Sequence, residues 1–466
     1  MSHAKSYFLC GVGGSGMLPL ALILRGRGET VAGSDRSLDQ GRTGPKFAYL
    51  AEQGIALFPQ DGSGVVSADQ IVVRSAAVED SVPDIIAAQR IGAELLGRAE
   101  LLSALFNSAK VRIGIAGTSG KSTTTAMIAW LLYNAGRDPT VMNGAVMKNF
   151  ASQDALFASA LVGKGDAFVS EVDESDGSIA RYRPSIAVVN NIALDHKSMN
   201  ELRELFAAFV AKAEVAVLNL DNEETAALVV TAKVRTRTFS VKSPLGDLYA
   251  SAIAQAPQGV SFKVFERESG AHATLRLEAP GLHNVSNALA ALSAARAYGF
   301  SLVEACQALA GFAGVKRRLE VVGAANGVTV IDDFAHNPDK IAATLATLHA
   351  FPGRLLIMFQ PHGFGPLKLM KQQFIDCFAD NMDGQDVLIM PDPVYFGGSA
   401  DRSVSSEQIV AGVRGRGLEA LAFAERAACG DKLLELAEPG DRIVVMGARD
   451  DTLSAFAAEL VQSLAR

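Results

Sequence analysis

The stretch VRIGIAGTSGKS, residues 111–122, decides how the rest of the chain is read. Val111, Ile113 and Ile115 alternate as in a strand. The chain then passes Gly117 and Gly120 to Lys121 and Ser122. Ser122 to Asn134 predicts a helix, with Gly136 just past its end. A strand, a glycine loop and a helix start let backbone N–H groups surround phosphate. Lys121 would reach the β/γ-phosphates, and the Ser122 hydroxyl could bind Mg²⁺. The strict GxxxxGK[ST] pattern is not met, because Ile115 stands where it has glycine. A tight turn with a solvated Lys121 is the plainer alternative. The flanking strand and helix weigh against it.

Upstream, YFLCGVGGSGMLPL (residues 7–20) carries a second glycine turn, with Gly11, Gly13 and Gly16 in GxGxxG spacing. SYFLCG predicts a strand, Met17–Arg25 a helix, and ETVAGSD a second strand ending at Asp35. Taken alone, this is the pattern of an NAD-dependent oxidoreductase, with Asp35 as the ribose acid. QIVVRS, ending at Ser75, predicts a further strand. The pattern is a parallel α/β unit over residues 1–107.

Downstream, EVDESD (residues 171–176) places four carboxylates after the apolar AFV of a predicted strand. SIAVVNNIALDH brings Asn191, Asp195 and His196 to the end of another. In a parallel sheet such carboxyl ends face the ligand crevice, so the acids read as Mg²⁺ ligands beside the loop. A solvated charge run and a structural histidine are the plainer alternatives. Arg235–Glu278 changes to short β segments, a small extra sheet within the unit. His283–Gly299 predicts an alanine-rich helix that starts with Asn284 and Asn287 on one face. Asn284 could equally be a helix cap. From Gly314 the strand-and-helix pattern returns, with Arg317 and Arg318 at the junction and Asp332, Asp333 and His336 at a strand end. The fold class is therefore α/β in three domains, 1–107, 108–313 and 314–466. The first and last are Rossmann-like, and the middle one resembles a P-loop ATPase domain.

The bulk numbers agree. The 466 residues are too many for one core, and a net charge of -7 without a basic run argues against a nucleic-acid surface. Four scattered cysteines and no span-length apolar run fit a reduced, cytoplasmic protein away from membranes.

These pieces, in this order, resemble the Mur ligase family, the ATP-dependent amide ligases of peptidoglycan assembly. The resemblance covers nearly the whole chain. It implies an ATP loop at Gly117, Thr118, Ser119, Gly120, Lys121, Ser122 and Thr123, with Asn284 and Asn287 at the adenine. Arg318 and Asp333 would be the nucleotide contacts of the last domain. Ser122, Glu171 and His196 would hold Mg²⁺, and Lys121, Glu171, His196 and Arg318 would carry the chemistry. The first glycine turn would hold the diphosphate of a UDP-sugar, through Gly13, Gly14, Ser15, Gly16, Met17, Ser34, Asp35 and Ser75. His336 and His362 would lie on the amino-acid side.

The implied reaction joins the lactyl carboxylate of UDP-N-acetylmuramate to an amine through an acyl phosphate, releasing ADP. GVGGSGM, GSD, GRAELL and EVDESDGS are similar to the L-alanine-adding branch of the family. RRLEVVGAANGVTVIDDFAHNP is similar to the branch that adds L-Ala-γ-D-Glu-meso-diaminopimelate in cell-wall recycling. In FQPHGFGPLK, Gly363 and Pro366 stand where the first branch has arginines. L-alanine is the first choice of acceptor and the tripeptide the second. The partners are small molecules only, and the chain is a monomer or a homodimer.

Overall fold

The computed structural model describes residues 4–75, 78–194, 197–257, 259–394, 404–448, 450 and 452–466. The chain forms two compact units. One is Met1–Gln255 with Gly259–Val315, and the other is Ala256–Gln258 with Lys316–Arg466. The described residues build three sheets, two in the first unit and one in the second.

The amino-terminal sheet has five parallel strands in the order Ala56–Phe58, Thr30–Ser34, Ser6–Cys10, Gln70–Arg74, Glu94–Gly97. Phe8, Leu9 and Cys10 are fully buried, as expected of a strand covered on both faces. The helix Met17–Gly26 follows the glycine turn, its apolar residues buried against the sheet.

The central sheet has ten strands. Val111–Ala116 lies inside it, between Ile186–Val189 and Ala167–Glu171, and both pairings are parallel. All three strands therefore end on the edge that carries the glycine loop. The helix Lys121–Asn134 carries three successive threonines, Thr123 to Thr125, in its first turns, and threonine is a poor helix former. It is buried from Ser122 to Ala129, so tertiary packing rather than propensity holds it. Its neighbour Leu282–Tyr298 buries a run of alanines, and the two helices share one core.

The late β segments do form. They extend the edge of the central sheet, through Leu248–Ala256, Gly259–Glu266 and His272–Leu277, instead of making a separate sheet. The reason is local: Phe239 and Ser240 pair in parallel with Leu248 and Tyr249, so the ladder continues past Arg235–Ser240. Buried Glu266 then ties the extension to the helix Leu282–Tyr298 through Arg296, at 2.6 Å.

The sheet of the second unit runs Glu320–Ala325, Val328–Asp333, Arg442–Gly447, Leu355–Gln360, Val387–Pro391, Glu419–Phe423. Its first pairing is antiparallel and the others are parallel. Leu355–Gln360 and Arg442–Gly447 are buried along their whole length. No described helix is long and apolar enough to cross a membrane.

Candidate functional site

The loop after Val111–Ala116 is held from two sides. Below it, Asn191 accepts from the Ser119 amide at 2.9 Å and donates to the Ser119 hydroxyl at 2.9 Å. The Asn191 carbonyl accepts from the Thr118 amide at 3.1 Å. The Thr118 hydroxyl in turn accepts from the Ala193 amide. Above it, the two predicted asparagines come together. Asn287 donates to Asn284 at 3.3 Å, and its oxygen accepts from the Thr124 hydroxyl at 3.2 Å. Asn284 is no cap: the helix begins at Leu282 behind Gly281, and the Asn284 side-chain Nδ2 donates to the Pro280 carbonyl at 2.7 Å. Gly120 is in the left-handed region at φ +80°, and a Cβ there would lie 2.5 Å from the Asn287 oxygen. Only glycine fits both demands.

Lys121 opens the helix and folds back over the loop. Its ammonium donates to the Gly117 carbonyl at 2.6 Å and to both oxygens of Glu174, at 2.9 and 3.2 Å. Glu174 is 5% exposed and Lys121 18%, so this is an inward pair. Burial pushes the Glu174 carboxyl above its ordinary value, and Lys121 pulls it only part of the way back. Burial also acts on Asp173, but Lys121 and the Ser175 amide outweigh it and hold that carboxyl low.

Glu171 ends its strand one register step from the loop, opposite Ile115, and accepts from the Gly144 amide at 2.9 Å. Asn143, next to it, donates to the Ser122 carbonyl at 3.0 Å. The Asn143–Gly144 segment thus spans from the helix start to Glu171. His196, expected as the third metal residue, lies outside the described residues. Among the described residues no group of three or more His, Cys, Asp or Glu could hold a metal by itself. A carboxylate and a hydroxyl beside a phosphate loop still fit Mg²⁺, which takes one or two carboxylates and fills its shell with phosphate oxygens and water.

The amino-terminal turn is built differently. The Ser34 carbonyl accepts from the Gly11 and Val12 amides, at 2.8 and 3.0 Å. The Ser34 hydroxyl points into the core and donates to buried Asp84 at 2.5 Å. Asp35 accepts from the Gly13 amide at 2.9 Å and from the Ser37 amide at 2.8 Å, where it caps a short helix. Gly16 precedes the helix Met17–Gly26, and no side chain caps that start. Arg98 lies over it, 3.1 Å from where a Gly16 Cβ would be. Arg98 also pairs with Asp176 at 3.5 Å, so it joins the turn to the acidic stretch of the central domain. Arg98, Ser75, Arg74 and Asp176 line a cavity of about 120 Å³.

In the second unit, Arg317 is an internal clamp. It is 8% exposed and bonds Asp332 at 3.3 Å, the Gly447 carbonyl at 2.7 Å and the Asp450 carbonyl at 3.1 Å. Arg318 lies over the Phe334 ring at 4.6 Å. Asp333 accepts from the Leu319 and Phe334 amides and from the Thr344 hydroxyl, which pins the strand end below Arg318. His336 and His362 follow Val328–Asp333 and Leu355–Gln360, the two strands on either side of Arg442–Gly447, and meet edge to face at 5.5 Å. Burial, with Lys340 nearby, pushes the His336 imidazole down to about 3. Its Nδ1 lies 2.8 Å from the Phe334 carbonyl.

The sequence reading missed Glu174, Asn143, Asn190 and Arg98. Glu174 stood in the quoted acidic run, but nothing in its spacing set it apart from Glu171. Asn190, which donates to Thr124 at 2.9 Å, looked like a strand residue. Arg98 is brought to its place by the first sheet alone.

A glycine loop between a parallel strand and a buried helix, with an inward lysine and an acid at the next strand end, defines a nucleotide-binding α/β protein. Three family models match in succession: "Mur ligase family, catalytic domain" over residues 7–110, "Mur ligase middle domain" over 115–295, and "Mur ligase, glutamate ligase domain" over 317–449. The chain belongs to the Mur ligase family and is a ligase. It is 34% identical to the UDP-N-acetylmuramate–L-alanine ligase of Geobacter sulfurreducens, covering 98% of each chain. It is 36% identical to the ligase of that name from Sorangium cellulosum, over 94% of this chain and 92% of the relative. Among solved structures, the UDP-N-acetylmuramate–alanine ligase of Thermotoga maritima matches with TM-score 0.79 and 25% identity over 98% of both chains. The murein peptide ligase of Psychrobacter arcticus matches with TM-score 0.72 and 25% identity over 99% of both. The NAD-dependent oxidoreductase suggested by the first glycine turn is set aside.

Proposed function

We propose that this chain uses ATP to join the lactyl carboxylate of UDP-N-acetylmuramate to the amine of L-alanine, in peptidoglycan precursor synthesis. The observation that carries the reading is the full-length similarity to ligases of that name, with the phosphate loop and Lys121 built as such a reaction requires.

The amides of Gly117, Gly120 and Lys121 and the helix start cradle the phosphates, and the Lys121 ammonium moves to the β/γ-phosphates. Asn284 and Asn287 border the adenine. Ser122 and Glu171, with His196, would hold Mg²⁺, which would offset phosphate charge. A carboxylate attacking a polyanion meets repulsion that only cations and oriented N–H groups relieve. The carboxylate takes the γ-phosphoryl group, ADP leaves, and the amine then displaces phosphate from the acyl carbon.

Residues 1–107 serve the UDP-sugar, 108–313 the nucleotide and 314–466 the amine. Gly13, Gly14, Ser15, Gly16, Met17 and Ser75 line the diphosphate side. Ser34 and Asp35 support that turn through the bonds described above. Arg318 and Asp333 serve the nucleotide from the last domain, and His336 and His362 the amine. Four buried thiols, each pushed up to about 12 by burial, fit a reduced cytoplasmic setting without a catalytic cysteine.

A second acceptor is favoured by the sequence. Gly363 and Pro366 depart from the L-alanine-adding branch and residues 317–338 resemble the tripeptide-adding branch, so L-Ala-γ-D-Glu-meso-diaminopimelate is the alternative amine. Phosphate release with ATP, Mg²⁺, UDP-N-acetylmuramate and each amine decides. Turnover with L-alanine supports the first reading. Turnover with tripeptide alone selects the second, and silence with every amine overturns both.

A further inference from the structure

The inward pairing of Lys121 has a consequence for binding. The ammonium that the phosphates need is already held by Glu174 at 2.9 and 3.2 Å and by the Gly117 carbonyl at 2.6 Å. Glu174 sits on the loop that follows Ala167–Glu171, on the same sheet edge as the phosphate loop. It is buried, so little water competes for its oxygens. Asp173 lies beside it and adds negative charge near the lysine. A nucleotide entering this loop therefore meets a cation already neutralised by a fixed acid.

We propose that Glu174 is a positioning residue that acts as the resident counter-ion of Lys121, and that nucleotide phosphates bind by taking the ammonium from it. Without nucleotide the pair keeps a half-buried cation from standing unpaired. In the filled site the phosphates supply the negative charge instead. Glu174 thus sets nucleotide affinity by competition, and it does so without touching the nucleotide. The proposal rests on the phosphate-loop reading.

The test is calorimetric titration of the full-length protein with ADP in the absence of Mg²⁺, which keeps the metal residues out of the measurement. Glu174→Gln keeps the shape and removes the charge. It is expected to tighten ADP binding at least about threefold, since one negative charge near the phosphates is gone. In a Lys121→Ala background the same substitution is expected to change the affinity much less. Glu174→Asp draws the charge back by one methylene and should tighten binding in the same direction by a smaller factor. This second variant serves if the glutamine variant does not fold. Unchanged or weaker binding in both variants overturns the proposal, because an acid that merely props the lysine would lose affinity when altered. Equal tightening with and without Lys121 also overturns it, since that is a general field effect. Failure of the wild-type protein to bind ADP at all would instead refute the phosphate loop itself.

Discussion

The chain contains two glycine turns between a parallel strand and a helix, and they present different chemistry. At Gly117–Gly120 the turn is pinned by Asn191 from the end of the neighbouring strand, Asn287 holds Thr124 on the helix that follows, and a lysine folds over the turn. At Gly11–Gly16 no lysine opens the helix. The Gly11 to Gly14 amides are all bonded within the fold, that of Gly13 to Asp35; the Gly13 carbonyl accepts from Lys46 at 3.0 Å, and a second cation, Arg98, comes from another helix start. The shared spacing supplies small residues and a sharp turn into a helix start. What a turn can bind is set by what the adjacent strands bring to it.

The contrast is sharpest at Lys121. Lys121→Ala should yield a folded protein with almost no turnover, a loss on the order of 3 kcal/mol or more of transition-state stabilisation. Phosphate release near the wild-type rate would break the distinction between the two turns. Gly120→Ala comes next. It forces a left-handed alanine and a contact with the Asn287 oxygen, at a combined cost of about 2 kcal/mol. ADP binding should fall about tenfold or more, with a lower melting temperature. Gly16→Ala, its counterpart, displaces the movable end of Arg98. It should raise KM for UDP-N-acetylmuramate and leave ADP affinity alone. A change in ADP affinity would show that the two turns are coupled.

A prediction outside both turns concerns His336. Its folded value, about 3, lies below the ordinary value of 6.5, so the unfolded chain binds its proton first as pH falls. Stability is fully present above pH 6.5 and is lost progressively toward pH 3. The loss is roughly 2 kcal/mol by pH 5. Replacing the ring by His336→Phe should flatten that part of the melting-temperature profile. The smallest effect is at Asp35. Asp35→Ala removes a cap and the Gly13 bond, about 1 kcal/mol by thermal melting.

Much of this was legible beforehand. The strands Ser6–Cys10, Thr30–Ser34 and Gln70–Arg74, and the helix Lys121–Asn134, lie where the apolar runs and glycines predict them. Hydrophobic period and turn residues are local quantities, so a linear reading recovers them. Asn284 and Asn287 were legible as a pair because helical spacing puts them on one face. Arg317 and Arg318 were not separable. The clamp of Arg317 on Gly447 and Asp450 depends on a strand more than a hundred residues away.

The sequence by itself determined the α/β class, the two phosphate-type turns and the order of motifs that marks the family. Those follow from short-range pattern, which the chain carries wherever it folds. Only the tertiary structure decided that Lys121 pairs with Glu174 rather than Glu171. It also decided that Asn191 grips the loop while Asn287 bonds Thr124 on the helix after it, and that Arg98 reaches across to Asp176. These are choices among chemically equivalent residues. They are settled by which strand lies beside which in a parallel sheet, and by which side chain the packing turns inward.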